Sequence, residues 1–158
     1  MPGVFTDSDY YRGPPLTSAM VQRAETALGV RLPGGYLELL SENNGGTFAK
    51  RFIATSFPTS WAADHFAVSG LLGIGGERGI DSTTGLGSVD LIAEWGYPDV
   101  GIVICDTPSA GHDTVMLDYS ACGPLGEPTV VYVDEDRVSR QVADAFIALL
   151  ADCEVIGG

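Results

Sequence analysis

The feature that most limits how this chain can fold is an unbroken apolar segment in its second half, Gly101-Ile102-Val103-Ile104-Cys105. A strand with one face in water alternates apolar and polar side chains, whereas a strand covered on both faces reads as a continuous apolar run. The segment therefore predicts an interior strand of a sheet. The chain has 158 residues, which suits one domain with a substantial core around that strand.

Helical patterns stand at both ends of the sequence, and most of the predicted strands lie between them. The first helix is predicted to be capped by Thr17 or Ser18 and to end at Gly29, where a left-handed residue is needed. The last helix is predicted from the apolar spacing between Val138 and Leu149. This order of elements is typical of an α+β domain rather than of alternating βαβ units.

The intervening elements are predicted from turn residues and short apolar patterns. A second helix must stop at Asn43–Gly46, because Asn and Gly tolerate positive φ. A third helix is predicted with Ser88 as a possible cap and an apolar face of Val89, Ile92 and Trp95. The predicted strands are Phe48–Ile53, His65–Ile74, Gly101–Cys105, Thr114–Tyr119 and Thr129–Val133.

The chain is strongly acidic, and its charge is unevenly distributed. The formal net charge is −13; residues 1–78 hold six basic and seven acidic residues, whereas residues 79–158 hold two and fourteen. Such a surface repels phosphate backbones and anionic membranes, so nucleic acid and membrane surfaces are not expected partners. The charge either keeps the protein soluble by self-repulsion or faces a cationic partner.

Cysteine usage and the lack of a targeting pattern predict a cytoplasmic protein. Cys105, Cys122 and Cys153 are odd in number and widely spaced, which favours reduced, mostly buried thiols over a disulfide framework or a zinc site. The sequence begins with no basic segment followed by an apolar run. No uncharged stretch approaches the roughly 20 residues that span a bilayer.

One residue cluster has the composition of a metal-dependent hydrolase site. His112 and Asp113 are adjacent, and Asp106 and Asp118 lie near them in the sequence, so these four could ligate metal ions. However, His65 is the only other histidine, and His112 and Asp113 fall in the connection between two strands, where an exposed Gly-, His- and Asp-containing loop is expected. Catalysis is therefore disfavoured, and neither a metal nor a cofactor is expected.

Several motifs, taken in order, resemble the SUKH superfamily, the Smi–Knr type domain. The resemblance covers roughly residues 16–152, which leaves residues 1–15 as an irregular arm and 153–158 as a C-terminal tail. The motifs that carry it are Leu32-Pro33 with Tyr36, Leu39 and Leu40; Asn43–Gly46; Trp95-Gly96-Tyr97-Pro98; Val115–Asp118; Pro128–Tyr132 with Asp134-Glu135; and Ala145-Phe146 with Leu149-Leu150.

The resemblance implies a mostly antiparallel sheet flanked by helices, and no catalysis. Many bacterial members resemble immunity proteins, which bind and neutralise a cognate toxin in the cytoplasm. An acidic inhibitor suits a basic toxin, such as a nuclease, because opposite charges steer association. The open alternative is a general interaction or regulatory module. The candidate contact residues for a protein partner are Trp61, Asp106, His112, Asp113, Asp134, Glu135 and Asp136.

Overall fold

A computed structural model describes residues 3–109, 111–151 and 153–154. Four helices and nine strands are assigned within these residues. The helices are α1 (Ser18–Leu28), α2 (Gly34–Glu42), α3 (Ser88–Trp95) and α4 (Phe146–Ala151). The strands are β1 (Gly46–Thr47), β2 (Phe52–Ala54), β3 (His65–Ala67), β4 (Gly70–Leu71), β5 (Gly101–Asp106), β6 (Thr114–Asp118), β7 (Thr129–Val133), β8 (Ser139–Ala143) and β9 (Cys153–Glu154).

The strands form two antiparallel sheets, which confirms the predicted α+β domain with a mostly antiparallel sheet. The larger sheet has the order β1-β4-β5-β6-β7-β8, and the smaller has the order β3-β2-β9. Strand β5 is interior, and Ile102 to Cys105 are all buried. Successive side chains of a strand point to opposite faces, so this burial confirms that β5 is covered on both sides.

The predicted helix boundaries in the first half of the chain are confirmed where they depend on local backbone chemistry. The Thr17 side chain caps α1 by accepting from the Met20 N–H at 3.2 Å. Gly29 ends α1 with φ of 71°. Helix α2 stops before Asn43, and Gly45 takes φ of 89°, as the Asn-Gly sequence predicts.

Two predicted strands are wrong in extent because the chain passes from one sheet to the other within them. Of the single strand predicted over Phe48–Ile53, only Phe52 and Ile53 lie in a strand, β2, because β1 ends at Thr47. The strand predicted over His65–Ile74 is divided between β3 and β4. The short connection Val68–Ser69 carries the chain from the small sheet to the large one. β-Branched and aromatic composition predicts an extended backbone but not the sheet it joins.

Other predictions fail where side-chain packing decides the outcome. Val138 to Val142 lie in a turn and in β8 instead of a helix, and the last helix begins only at Phe146. In α3, Gly87 is the N-cap residue and the Ser88 hydroxyl instead accepts from the Val103 N–H at 2.8 Å. Val89 is 65% exposed, so it does not belong to the predicted apolar face of α3.

The core joins the helices and both sheets through aromatic contacts. The rings of Tyr36 in α2 and Phe146 in α4 meet edge to face, with centroids 5.3 Å apart. Phe66 of the small sheet stacks on Tyr132 of the large sheet at 4.0 Å. The small sheet is therefore packed on the part of the large sheet that contains β7.

The predicted arm and tail both have contacts with the sheets. Phe5 pairs with Phe48 in an isolated antiparallel bridge, and Tyr11 is buried in the core. Cys153 and Glu154 pair with β2, while residues 155–158 of the predicted tail lie outside the described residues. Cys105 is buried as predicted, but Cys122 is exposed; the side chain of Cys153 lies outside the described part.

Candidate functional site

The antiparallel register brings most of the predicted contact residues to one edge of the large sheet. Strand β5 ends there at Asp106 and β6 begins there at Thr114. Thr114 pairs with Val133 at the end of β7, and Val133 pairs with Ser139 at the start of β8. The loop 107–113 and the turn 134–138 are therefore neighbours, although twenty residues separate them in sequence.

Asp113 is the centre of the hydrogen-bond network at this edge, and the prediction that it lies in an exposed loop is wrong. The residue is 2% exposed. Its Oδ1 accepts from the hydroxyls of Thr107 and Ser109, each at 2.5 Å, and its Oδ2 accepts from the Tyr132 hydroxyl. A buried carboxylate needs such donors, because burial without them costs several kcal/mol. Burial, together with this hydrogen bond, raises the pKa of Tyr132, so the phenol keeps its proton and remains a donor.

Trp61 reaches the same carboxylate from the long loop between β2 and β3. Its indole Nε1 donates to Asp113 Oδ2 at 2.6 Å, while 39% of the residue is exposed. The adjacent Ser60 N–H donates to Asp134 Oδ2 at 2.8 Å. The Trp61 loop is thus fixed to both the loop 107–113 and the acidic turn.

Arg137 joins the remaining segments through backbone carbonyls. Its Nη1 donates to the His112 carbonyl at 2.6 Å and to the Asp134 carbonyl at 3.1 Å. Its Nε donates to the carbonyl of Trp95, the last residue of α3, at 3.0 Å. Sequence reasoning missed this residue, although it is one of only two basic residues between positions 79 and 158.

These contacts define an exposed surface that we call the rim. It consists of the exposed residues Trp61, His112, Glu135, Asp136 and Val138. Asp136 pairs with Arg140 at 2.8 Å, and the hydrogen bond from this guanidinium lowers the pKa of the Asp136 carboxyl. The rim therefore presents an aromatic ring and an aliphatic side chain beside carboxylates, a composition suited to a protein partner.

Asp106 faces a different segment from the rim. Its Oδ2 accepts from the Tyr11 hydroxyl at 2.8 Å, and its Oδ1 accepts from the Thr107 N–H at 3.1 Å. Burial of the ring and the hydrogen bond to Asp106 raise the pKa of Tyr11. Asp106 thus fixes the arm to the end of β5. Three of the predicted contact residues, Asp106, Asp113 and Asp134, are at least partly buried and have structural partners.

The residues suggested for a metal-dependent hydrolase do not form a ligand set. Among the described residues, no group of three or more His, Cys, Asp or Glu side chains is placed to hold a metal ion. The Asp113 oxygens accept from four side chains, and Asp118 Oδ1 accepts from the hydroxyl and the N–H of Ser120. A cavity beneath the rim edge has a volume of about 100 Å³, below the roughly 300–1,000 Å³ of ordinary ligand pockets.

A larger cleft lies at the opposite edge of the sheet and was not predicted. Its volume is about 740 Å³, and its walls come from the end of α1, the start of α2 and the loop before β7. Leu125, which is 76% exposed, and Glu127 contribute to that loop wall. The sequence gives only a weak signal for it, an apolar residue within a Gly- and Pro-containing turn.

The fold and the rim together define a small α+β domain that fixes several loops at one edge of an antiparallel sheet. The sequence model of the SMI1 / KNR4 family (SUKH-1) matches residues 15–152, and the chain belongs to this family. No curated protein and no solved structure is similar enough to the chain to count as a match. Within the described residues, no helix combines the length and the apolar character needed to cross a membrane.

Proposed function

We propose that this protein is a cytoplasmic immunity protein, which neutralises a cognate toxin by binding it and catalyses no reaction. Membership of the SUKH-1 family supports this function, because many bacterial SUKH proteins resemble immunity proteins. The observation that carries the proposal is the rim, where Trp61 is exposed beside the acidic turn 134–136. Aromatic residues surrounded by polar groups are typical of the energetically dominant positions in protein interfaces.

The proposed partner is a basic protein domain, such as a nuclease. The net charge of −13 creates a field that attracts a cationic surface and speeds its association. Glu135 and Asp136 are exposed at the rim. Asp134 is partly buried and accepts from the backbone of Ser60, so it contributes charge while holding the loop.

The first experiment asks whether a toxin partner exists. The product of the gene directly upstream would be co-expressed with this protein and purified through a tag on one of them. We expect the two to co-purify, and we expect cells that express the upstream product alone to lose viability. If that product is harmless and does not bind, the toxin-neutralising function is wrong and the general interaction module becomes the better hypothesis.

The second experiment locates the surface with a matched pair of charge reversals. Glu135→Lys changes the rim, and Glu127→Lys makes the same change at the cleft on the opposite edge; both side chains are exposed. We expect Glu135→Lys to slow association with the upstream product about two- to fivefold at low salt, since one surface charge is worth about 1 kcal/mol or less. The difference should shrink at 0.5 M salt because of screening.

The control reversal distinguishes a local effect from a general one. We expect Glu127→Lys to change the association rate less than Glu135→Lys does. Equal slowing by both variants would mean that only the net charge matters. Slowing by Glu127→Lys alone would place the binding surface at the cleft and would contradict the rim.

A further inference from the structure

The buried carboxylate of Asp113 lies at the same edge of the large sheet as the rim and accepts hydrogen bonds from four side chains. Thr107 and Ser109 lie within six residues of it, so their contacts are local. Trp61 and Tyr132 lie 52 and 19 residues away. The carboxylate therefore connects three separate segments, and only one of its four donors, Trp61, belongs to an exposed residue of the rim.

The hydrogen bond from Trp61 to Asp113 holds the indole ring itself and not only the backbone of its loop. Loop 57–64 contains no helix or strand that would fix the indole. The loop is held by Thr59, whose hydroxyl accepts from the Trp61 N–H and donates to the His65 carbonyl, and by the Ser60 contact with Asp134. These bonds fix the backbone, whereas the bond from Nε1 to Asp113 fixes the side chain itself.

A second donor to the same carboxylate oxygen is itself held by packing. Tyr132, which shares Asp113 Oδ2 with Trp61, lies in β7, is fully buried and stacks on Phe66. A side chain held in one orientation before binding loses less conformational entropy on association than a free one. Tryptophan is also among the residue types most often found at energetically dominant interface positions.

We infer that Asp113 is a positioning residue, which holds Trp61 in place as the aromatic anchor of the rim for a basic protein partner. This inference rests on the proposed function, because it assigns roles within the same surface. Asp113 does not touch the partner, since it is buried; its effect on binding passes through the indole. The hydroxyls of Thr107 and Ser109, which bond the other oxygen, keep the carboxylate in position.

The orientation of the indole can be tested without any partner. In a Trp95→Phe background, Trp61 is the only tryptophan and its fluorescence reports on its own environment. We expect Asp113→Ala, which leaves no acceptor for the indole N–H, to increase quenching by acrylamide and to shift the emission to longer wavelength. Tyr132→Phe is the matched control, since it removes another donor to the same oxygen and leaves the Trp61 bond intact; it should leave the fluorescence unchanged. Unchanged fluorescence in Asp113→Ala would overturn the positioning role.

The effect on binding is measured with the upstream gene product by a double-mutant cycle. Trp61→Ala should weaken affinity at least about 30-fold, as expected for a dominant interface residue. Asp113→Ala and Trp61→Phe should each weaken it about two- to tenfold, the loss expected when one side chain is no longer held. In the Trp61→Phe background, which has no indole N–H, Asp113→Ala should cause no further loss.

The outcomes separate this inference from the function on which it rests. If the wild-type protein does not bind the upstream product, the proposed function fails and the anchor role fails with it. If the wild type binds and Trp61→Ala binds equally well, only the anchor role is overturned. If Asp113→Ala weakens binding equally in both backgrounds, Asp113 acts by another route and the positioning role is overturned. Should Asp113→Ala fail to fold in urea titrations, Trp61→Phe still tests the same bond, and undiminished affinity would contradict it.

Discussion

The guanidinium of Arg137 lies over the ring of Tyr97, with its central carbon 4.8 Å from the ring centroid. Tyr97 in turn donates from its hydroxyl to the Gly111 carbonyl at 2.6 Å. Arg137 takes φ of 60°, the one positive φ at a non-glycine position among the described residues. The strained backbone places the side chain where it bridges α3, the loop 107–113 and the turn before β8.

The first prediction concerns the stability contributed by Arg137. Arg137→Ala should reduce the free energy of unfolding by about 1.5–3 kcal/mol, because hydrogen bonds from a charged donor to partly buried carbonyls are lost. The loss should appear as a lower midpoint in urea with an unchanged slope.

Arg137→Gly separates the side chain from the backbone. Glycine adopts φ of 60° without the cost of about 1–2 kcal/mol that L-residues pay, although its unfolded chain gains entropy. We expect Arg137→Gly to be at least as stable as Arg137→Ala and less stable than the wild type. A wild-type midpoint for Arg137→Ala would contradict the bridging role.

A second prediction concerns the packing of Tyr11, in the N-terminal arm, against Gly70 of the large sheet. A Cβ built at Gly70 in β4 would lie 2.2 Å from the Tyr11 ring, so Gly70→Ala must displace that ring. We expect a loss of about 1–3 kcal/mol in unfolding free energy, as in other overpacked cores. Displacing Tyr11 should also expose the arm, and trypsin should cleave after Arg12 faster than in the wild type.

Gly34→Ala is the matched control for this substitution. Gly34 is the first residue of α2, and a Cβ there meets no atom within 4 Å. We expect this variant to be as stable as the wild type or slightly more stable, because alanine favours the helix. Equal stability of Gly70→Ala and Gly34→Ala would show that the packing of Tyr11 against Gly70 does not contribute to the stability of the protein.

The third prediction concerns Asn44, a buried side chain that connects the arm to the segment after β4. Its amide nitrogen donates to the carbonyls of Pro14 at 2.6 Å and Ile74 at 2.8 Å, and its Oδ1 accepts from the Ile74 N–H at 2.9 Å. Asn44→Ala should cost about 2–4 kcal/mol, since several buried groups lose their partners. Asn44→Asp should be no better at neutral pH, because a carboxylate cannot donate to those carbonyls. If Asn44→Asp were more stable than Asn44→Ala, this account would be contradicted.

The fourth prediction is a loss of stability in alkaline solution. Burial raises the pKa of Tyr97 to about 12, although the nearby Arg137 opposes the shift. The pKa values of Tyr11, Tyr36, Tyr119 and Tyr132 are raised as well, in each case mainly by burial. Unfolded tyrosine ionises near pH 10, so the folded state binds more protons than the unfolded state above that pH.

The sign of the effect follows from these raised pKa values. The stabilisation is fully present below about pH 10 and is lost as the pH rises through the folded-state pKa values. We expect the urea midpoint to be constant from pH 8 to 9.5 and to fall steadily above pH 10. Tyr97→Phe should reduce that slope, because one fewer phenol ionises on unfolding. A midpoint that does not change up to pH 11.5 would contradict the prediction.

The candidate site was only partly predictable from the sequence. Composition and spacing selected Trp61, His112 and the acidic turn, and the structure places them at one edge. The prediction treated Asp113 in the same way as Glu135, since both are acids in short connections. Asp113 is buried because Trp61 and Tyr132 approach it from distant segments of the chain, whereas Glu135 stays exposed.

The sequence by itself determined those features that depend on the conformational preferences of a few neighbouring residues. The Thr17 cap, the left-handed Gly29 and the helix stop at Asn43–Gly46 are of this kind, as is the doubly covered strand β5, whose apolar run admits no solvent face. The tertiary structure decided the rest. Val138 to Val142 have helical spacing, yet the backbone hydrogen bonds and side-chain burial available beside β7 make most of that segment a strand, because long-range pairing outweighs weak local propensity.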